Sequence, residues 1–155
     1  MLSIGVHFGI IYYVMTVNKG CYILIIELQK ESKIESKSKS WNLKKGFYAY
    51  VGSAMNSLSG RLNHHLSEKK KLHWHIDYLL NNEDSKVMFS FILPSQTKIE
   101  EQLSSFVSNY GEGIKGFGSS DCKTESNLYR VEKGKLSSLF TYLINLEVSH
   151  DCFFK

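Results

Sequence analysis

One short apolar segment limits what this chain can fold into. Residues 21–28 are rich in Ile, Leu and Tyr, and Gly20 precedes them. A run of this length and composition is typical of a buried β-strand. A second strand is predicted at residues 47–51, where Gly52 closes it. We expect the two strands to pair as a hairpin at the centre of the domain.

The connection between these strands is basic. Residues 30–45 are low in complexity and consist mainly of Lys, Ser and Glu, which predicts an exposed loop. Residues 19–75 contain eleven Lys or Arg against four Glu, whereas residues 76–155 contain eight against eleven acidic residues. A basic first half favours a polyanionic partner such as nucleic acid, although a solubilising lysine surface explains the charge equally well.

The remaining pattern predicts a small α/β domain with an antiparallel sheet. Leu58, Leu62 and Leu66 repeat every four residues and predict a helix over residues 56–69 with these leucines buried. Thr97 is a candidate N-cap for a later helix, with Glu100 three residues on as in a capping box. The further elements expected are helices at 73–81, 97–109 and 136–146, strands at 87–93 and 128–131, and a glycine-rich turn at 111–118.

Composition indicates one globular, cytoplasmic domain. The chain has 155 residues, of which 43% are hydrophobic, enough for one core. Its three cysteines, Cys21, Cys122 and Cys152, form no paired framework and so indicate a reducing compartment. The apolar residues 2–15 are fewer than the ~20 that a membrane span needs. We expect residues 1–18 to be an extra strand or a misassigned start, and expect no membrane association.

Two aromatic–glycine motifs lie on the paired strands. Gly20-Cys21-Tyr22 opens the first strand and Tyr50-Val51-Gly52 closes the second. With the segments 46–54, 58–66, 72–80, 116–122 and 126–128, they resemble the GIY-YIG nuclease superfamily, in particular its stand-alone, largely archaeal branch of unknown function. The resemblance covers residues 19 to about 131.

The resemblance implies a fold and a division of the chain. The expected fold is α+β, a small GIY-YIG-like domain with a central, mainly antiparallel three-stranded sheet flanked by helices. Residues 19–131 would form the nuclease-like domain, and residues 132–155 an amphipathic helical extension. Relatives in this branch are expected to carry Cys-x-Cys and Ser-His-Leu near its end, where this chain has Cys122-Lys123-Thr124 and Ser126-Asn127-Leu128.

The resemblance also implies four catalytic residues. Tyr22 and Tyr50 would lie side by side near the scissile phosphate, where one of them orients or deprotonates the attacking water. Arg61 would contact the phosphate. Glu100 would bind a single Mg²⁺ or Mn²⁺, with Glu101 as its competitor for that role. Taken singly, each is more often a structural residue, and only their joint order favours function.

A second set of residues is expected to contact nucleic acid. His65 lies one helical turn after Arg61, so the same phosphate is within its reach. His73 and Asp77 have the spacing of a metal-binding or hydrogen-bonded pair, but the motif is weak for zinc. Packing between helix and sheet is the alternative for these histidines. The full set of candidates is His65, His73, His75, Trp41, Lys44, Lys45, Lys69 and Lys70.

These features together predict a metal-dependent DNA endonuclease that hydrolyses phosphodiester bonds, with a role in DNA repair on branched or damaged DNA. In this hypothesis Trp41 stacks on an exposed base. An alternative is a catalytically inactive nucleic-acid-binding module with the same fold. A weaker hypothesis is an accessory protein whose C-terminal helix docks on a repair-protein partner.

Overall fold

The computed structural model describes residues 4–7, 10–13, 17–118 and 125–148. Cys122 and Cys152 lie outside these residues. The described part folds into nine strands and four helices. In chain order these are β1 (Ile4–His7), β2 (Ile10–Tyr13), β3 (Gly20–Leu28), β4 (Ser32–Glu35), β5 (Ser40–Leu43), β6 (Gly46–Ala54), α1 (Leu58–Leu66), α2 (His75–Leu80), β7 (Ser85–Pro94), α3 (Glu100–Val107), β8 (Gly111–Gly113), β9 (Leu128–Val131) and α4 (Lys133–Val148).

The central sheet has five antiparallel strands in the order β7-β3-β6-β9-β8, so the expected three-stranded sheet is wrong. The hairpin of β3 and β6 forms its middle, as predicted. The strand predicted at residues 128–131 is present and pairs with β6. The three-residue β8 was missed because Gly-Glu-Gly offers no apolar side chain to a strand pattern.

Residues 30–45 form a β-hairpin rather than an exposed loop. β4 and β5 pair with each other, and Ile34, Trp41 and Leu43 are buried beneath them. The indole N–H of Trp41 donates a hydrogen bond to the Lys115 carbonyl, at 3.1 Å. The many Lys and Ser residues obscured the alternation of Trp41 and Leu43 with polar residues in β5, which is the signal of a half-buried strand.

The sheet separates two cores, because alternate residues of a strand face opposite sides. One face packs against α1 and α2 through Leu58, Leu62, Ile76 and Leu79. The other face packs against α3 and α4, with Leu103, Val107, Leu139 and Leu143 buried. Helix α4 therefore shares a core with the sheet.

Two details of the helices differ from expectation. Leu66 is 51% exposed, since α1 ends at that residue and Ser67 is its C-cap. Helix α3 begins at Glu100 with Ile99 as its N-cap. Thr97 lies before the helix, where its backbone N–H donates a hydrogen bond to the Ser95 hydroxyl. The predicted Thr97 cap is therefore wrong.

At the N-terminus, β1 and β2 pair with each other as a separate antiparallel hairpin, so the segment holds two strands instead of one. Among the helices of the described residues, none combines the length and the apolar character that a membrane crossing requires.

Candidate active site

The register of the central hairpin brings two tyrosines together. Tyr22 lies opposite Gly52 and Tyr50 lies opposite Leu24, so both phenols project from the same face of the sheet. Their ring centroids are 6.3 Å apart. A Cβ atom at position 52 would lie 2.4 Å from the Tyr22 ring, so only glycine lets this ring cross β6.

Tyr22 belongs to a buried hydrogen-bonded chain of three side chains. Its hydroxyl lies 2.8 Å from His65 Nε2, and His65 Nδ1 lies 2.8 Å from Asp77 Oδ1. Because an ionised carboxylate only accepts hydrogen bonds, His65 carries its proton on Nδ1. Nε2 is then the acceptor, and the Tyr22 hydroxyl donates to it.

The Asp77 carboxylate links α1 to the start of α2 through hydrogen bonds. Its side chain is 0% exposed, and Oδ2 accepts hydrogen bonds from the backbone N–H groups of His73 and Trp74 at 3.0 and 2.9 Å. His64 Nε2 lies 3.1 Å from the same oxygen. Burial opposes the charged form, but the hydrogen bonds from His65 and from the backbone hold the pKa of Asp77 well below its usual range. Asp77 is therefore ionised at neutral pH.

Both phenols are protonated in the folded protein. Burial raises the pKa of Tyr22, with the Arg61 guanidinium opposing this shift and the Glu100 carboxylate adding to it. Burial also raises the pKa of Tyr50 well above its usual value, and the Glu100 carboxylate acts in the same direction. At neutral pH the site therefore presents neutral hydroxyl groups.

Arg61 lies on α1 one turn before His65, so it shares the face of the helix that points toward Tyr22. Helix α1 begins at Leu58 because the Ser57 side chain, as its N-cap, accepts a hydrogen bond from the Gly60 backbone N–H, at 3.0 Å. The Arg61 Cζ atom lies 3.9 Å from the centroid of the Trp74 ring. The guanidinium thus lies near the Tyr22 hydroxyl and packs against the Trp74 indole.

Glu100 supplies the acidic group of the site. Its side chain accepts hydrogen bonds from the Ser53 hydroxyl and, at 2.9 Å, from Asn127 Nδ2. Lys98 Nζ lies 3.7 Å from Oε2. Helix α3 packs on the other face of the sheet, but its first residue, Glu100, lies at the end of β6. From there the charge of Glu100 raises the pKa of both tyrosines. The side chain of Glu101 is exposed.

Ser53 and Asn127 were not predicted from the sequence as hydrogen-bond partners of Glu100. Asn127 stands where the resemblance predicts a histidine, and its Nδ2 also donates to the Gly118 carbonyl at 3.2 Å. The three residues are far apart along the chain and meet only through the sheet. A single sequence contains no local pattern from which this contact can be inferred.

Two of the expected nucleic-acid contacts are inside the protein. His65 is 1% exposed and Trp41 is 9% exposed. The Trp41 ring packs edge-on against His75 and at a tilt against Phe117, with centroids 4.9 and 4.7 Å away. The prediction that Trp41 stacks on a base is therefore wrong, because a base has no access to its face. Both ring nitrogens of His65 are hydrogen-bonded inside the protein, to Tyr22 and to Asp77, so neither is left for a DNA phosphate.

The other candidates are closer to the surface. Lys44, Lys45, Lys69 and His73 are exposed. Lys70 is partly covered and donates to the His65 carbonyl. His75 is half-buried, and its Nδ1 accepts a hydrogen bond from the Gly118 backbone N–H at 3.0 Å.

His64, His65 and Asp77 bring three possible metal-ligand atoms within 4.8 Å of one another. Both histidines are hydrogen-bonded to Asp77, whose Oδ2 also binds two backbone N–H groups. The suggested pair of His73 and Asp77 exists only through the His73 backbone. These contacts satisfy the carboxylate without a metal ion.

The described structure is thus a small α+β domain with a polar site at one end of its sheet. The family described as a domain of unknown function, DUF123, matches residues 21–147, and the chain belongs to this family. The match includes α4 and extends beyond residue 131, where the motif resemblance ends. Neither the curated proteins nor the solved structures contain a match.

Two histidines with lowered pKa values, the buried His65 and the half-buried His75, are expected to make the protein more stable at neutral than at acidic pH. Burial lowers the pKa of His65 and of His75 from 6.5, and the Lys39 charge adds to the shift of His75. As the pH falls below 6.5, these histidines take up protons in the unfolded chain before they do so in the folded protein. Their contribution to stability is therefore complete above pH 6.5, and it is lost as the pH falls through their lower folded-state pKa values. We expect urea denaturation to give a larger free energy of unfolding at about pH 7.5 than at about pH 5.5, with a smaller difference in His75→Asn. A protein more stable at the lower pH would contradict this.

Proposed function

We propose that this protein is a metal-dependent DNA endonuclease of the GIY-YIG type, from the stand-alone branch that its motifs resemble. One observation supports the proposal above all others. Tyr22, Tyr50, Arg61 and Glu100, which lie on four different elements, influence one another electrostatically at one end of the sheet. Each group matches a need of phosphodiester hydrolysis.

The Arg61 guanidinium is the group suited to bind the scissile phosphate. Its planar set of N–H donors matches two phosphate oxygens, and its charge stabilises the negative charge that develops on them. Its position near the Tyr22 hydroxyl places a bound phosphate beside that phenol. Substrate binding and the reacting water therefore meet at the same point.

Tyr22 and His65 together form a route for the proton of the attacking water. A phenol that stays protonated at neutral pH is a weak base on its own. When water transfers a proton to the Tyr22 oxygen, the phenol proton moves to His65 Nε2, 2.8 Å away. The ionised Asp77 stabilises the imidazolium that results. Tyr50, on the next strand, helps to orient the water.

Glu100 fits a divalent ion held by oxygen ligands. A carboxylate is the kind of oxygen ligand that hard ions prefer, and such ions often use only one or two carboxylates with waters. The Ser53 hydroxyl and the Asn127 amide donate hydrogen bonds to this carboxylate. Bound Mg²⁺ or Mn²⁺ supplies charge stabilisation for the leaving oxygen. Ser53 and Asn127 orient the carboxylate.

The exposed lysines around the site suit a DNA backbone. Lys33, Lys37 and Lys39 are exposed on the β4–β5 hairpin, and Lys44 and Lys45 follow it. Contacts of this kind are independent of base sequence and weaken as salt increases. They replace Trp41 as the expected DNA contact of this segment. A cytoplasmic role in DNA repair, with a repair-protein partner, remains part of the proposal.

The test is a manganese-dependent cleavage screen over single-stranded, duplex, flap and junction DNA. We expect nicking of at least one substrate, loss of nicking on chelation, and a decrease of about 100-fold or more in Arg61→Ala and Tyr50→Phe. If the parent protein never nicks but binds DNA in a salt-sensitive way, and both variants bind as it does, the inactive nucleic-acid-binding module is the correct function.

A further inference from the structure

We propose that Trp74 is a positioning residue whose indole face holds the Arg61 guanidinium ready for a phosphate without neutralising it. The inference rests on the proposed function, since it concerns how the site holds its phosphate-binding group. Trp74 precedes α2 and is half-buried, whereas Arg61 projects from α1. The contact between them therefore spans two helices.

The geometry is that of a cation–π contact. Arg61 Cζ lies 3.9 Å from the centroid of the indole, well inside the distance at which a cation is attracted to an aromatic face. Three histidine rings pack edge-on around the same indole. Their centroids lie 5.1 Å (His64), 5.5 Å (His65) and 4.6 Å (His73) from that of Trp74. They fix the plane of the ring, and through it the position of the guanidinium.

The choice of an aromatic partner has a chemical consequence. Among the described residues, no carboxylate lies within ion-pair distance of Arg61. A carboxylate would cancel the positive charge and occupy the N–H donors that a phosphate needs. The indole face attracts the cation and uses none of these donors. Trp74 therefore restricts the motion of Arg61 while leaving its hydrogen-bonding edge for the substrate.

The decisive variants are Trp74→Leu, which removes the aromatic face, and Trp74→Phe, which keeps one. Tyr78→Leu is the matched control, because Tyr78 is a half-buried aromatic residue of α2 packed against the core. We expect Trp74→Leu to lower kcat/KM for DNA cleavage about 10-fold, and Trp74→Phe and Tyr78→Leu to stay within about 3-fold of the parent. In an Arg61→Ala background, Trp74→Leu should have no further effect.

An NMR measurement tests the same contact without catalysis. The Arg61 side-chain signals should be displaced by the ring current of the indole in the parent and in Trp74→Phe, but not in Trp74→Leu. Inorganic phosphate should perturb these signals at lower concentration in the parent than in Trp74→Leu. Thermal unfolding of each variant identifies any that has lost its fold.

The outcomes separate the two proposals. If the parent cleaves no DNA but the Arg61 signals and phosphate titration depend on the ring at position 74, the nuclease function fails and the role of Trp74 stands. If the parent cleaves DNA and a folded Trp74→Leu protein cleaves it equally well, the role of Trp74 is wrong. The role is also wrong if the Arg61 signals of folded Trp74→Leu match those of the parent.

Discussion

Replacing Asp77 with leucine is expected to lower the free energy of unfolding by about 3–5 kcal/mol. The carboxylate is fully buried and accepts hydrogen bonds from two histidine side chains and two backbone N–H groups. Leucine is similar in size but accepts none of them, so these donors lose their partner in the interior. The midpoint of thermal unfolding should decrease by about 10 °C.

Asp77→Asn separates the structural role of this residue from its chemical role. Its carbonyl oxygen can still accept from the two backbone N–H groups, so most of the stability should remain. Its amide, however, donates to His65 Nδ1, which moves the imidazole proton to Nε2. His65 then donates to Tyr22 and can no longer accept its proton. We expect cleavage to decrease about 100-fold or more in a folded protein.

Nitrogen-15 spectra of His65 provide the check on Asp77→Asn. They should show the proton on Nδ1 in the parent and on Nε2 in the variant. A folded Asp77→Asn protein that nicks DNA at the parent rate would show that the Tyr22–His65–Asp77 chain takes no part in proton transfer. A folded Asp77→Leu protein with unchanged stability would contradict the structural role.

Replacing Glu100 with glutamine is expected to reduce metal-dependent cleavage about 100- to 1000-fold with little loss of stability. Glutamine keeps the length of the side chain and one carbonyl oxygen for Ser53 or Asn127. It removes the negative charge that a divalent ion requires. Calorimetric titration with Mn²⁺ should show binding to the parent and at least about 10-fold weaker binding to Glu100→Gln.

Glu101→Gln is the matched control for this change. Glu101 is the next residue of the same helix and its side chain is exposed, so its replacement alters the overall charge equally. We expect its cleavage and Mn²⁺ affinity to equal those of the parent. If Glu101→Gln were the inactive variant and Glu100→Gln the active one, the assignment of the metal ligand would be reversed.

Three of the four proposed catalytic residues have a local sequence signal, whereas the sequence left Glu100 and Glu101 as competitors. Tyr22 and Tyr50 lie in short glycine-containing motifs, and Arg61 follows at a helical spacing that a sequence displays directly. The supporting residues could not be predicted in this way. His65, Asp77, Ser53 and Asn127 act through contacts between elements, which appear only when the sheet and helices come together.

The fold shows the same division. The central hairpin and the strand at 128–131 were predicted from short apolar runs, which are typical of buried β-strands. The β4–β5 hairpin was missed because Lys and Ser dominate its composition, and the burial of Ile34 and Trp41 depends on the surface that they cover. That surface is formed by residues far along the chain, such as Lys115, whose carbonyl binds the Trp41 indole.

The close approach of Gly52 to Tyr22 has a consequence for how this family varies. A methyl group at position 52 has room only if the side chain at position 22 becomes smaller, and every smaller side chain lacks the phenol. We therefore expect the residues at positions 22 and 52 to change together among relatives. A relative without tyrosine at position 22 does not need glycine at position 52. A larger residue at position 52 would therefore identify relatives that have lost the phenol.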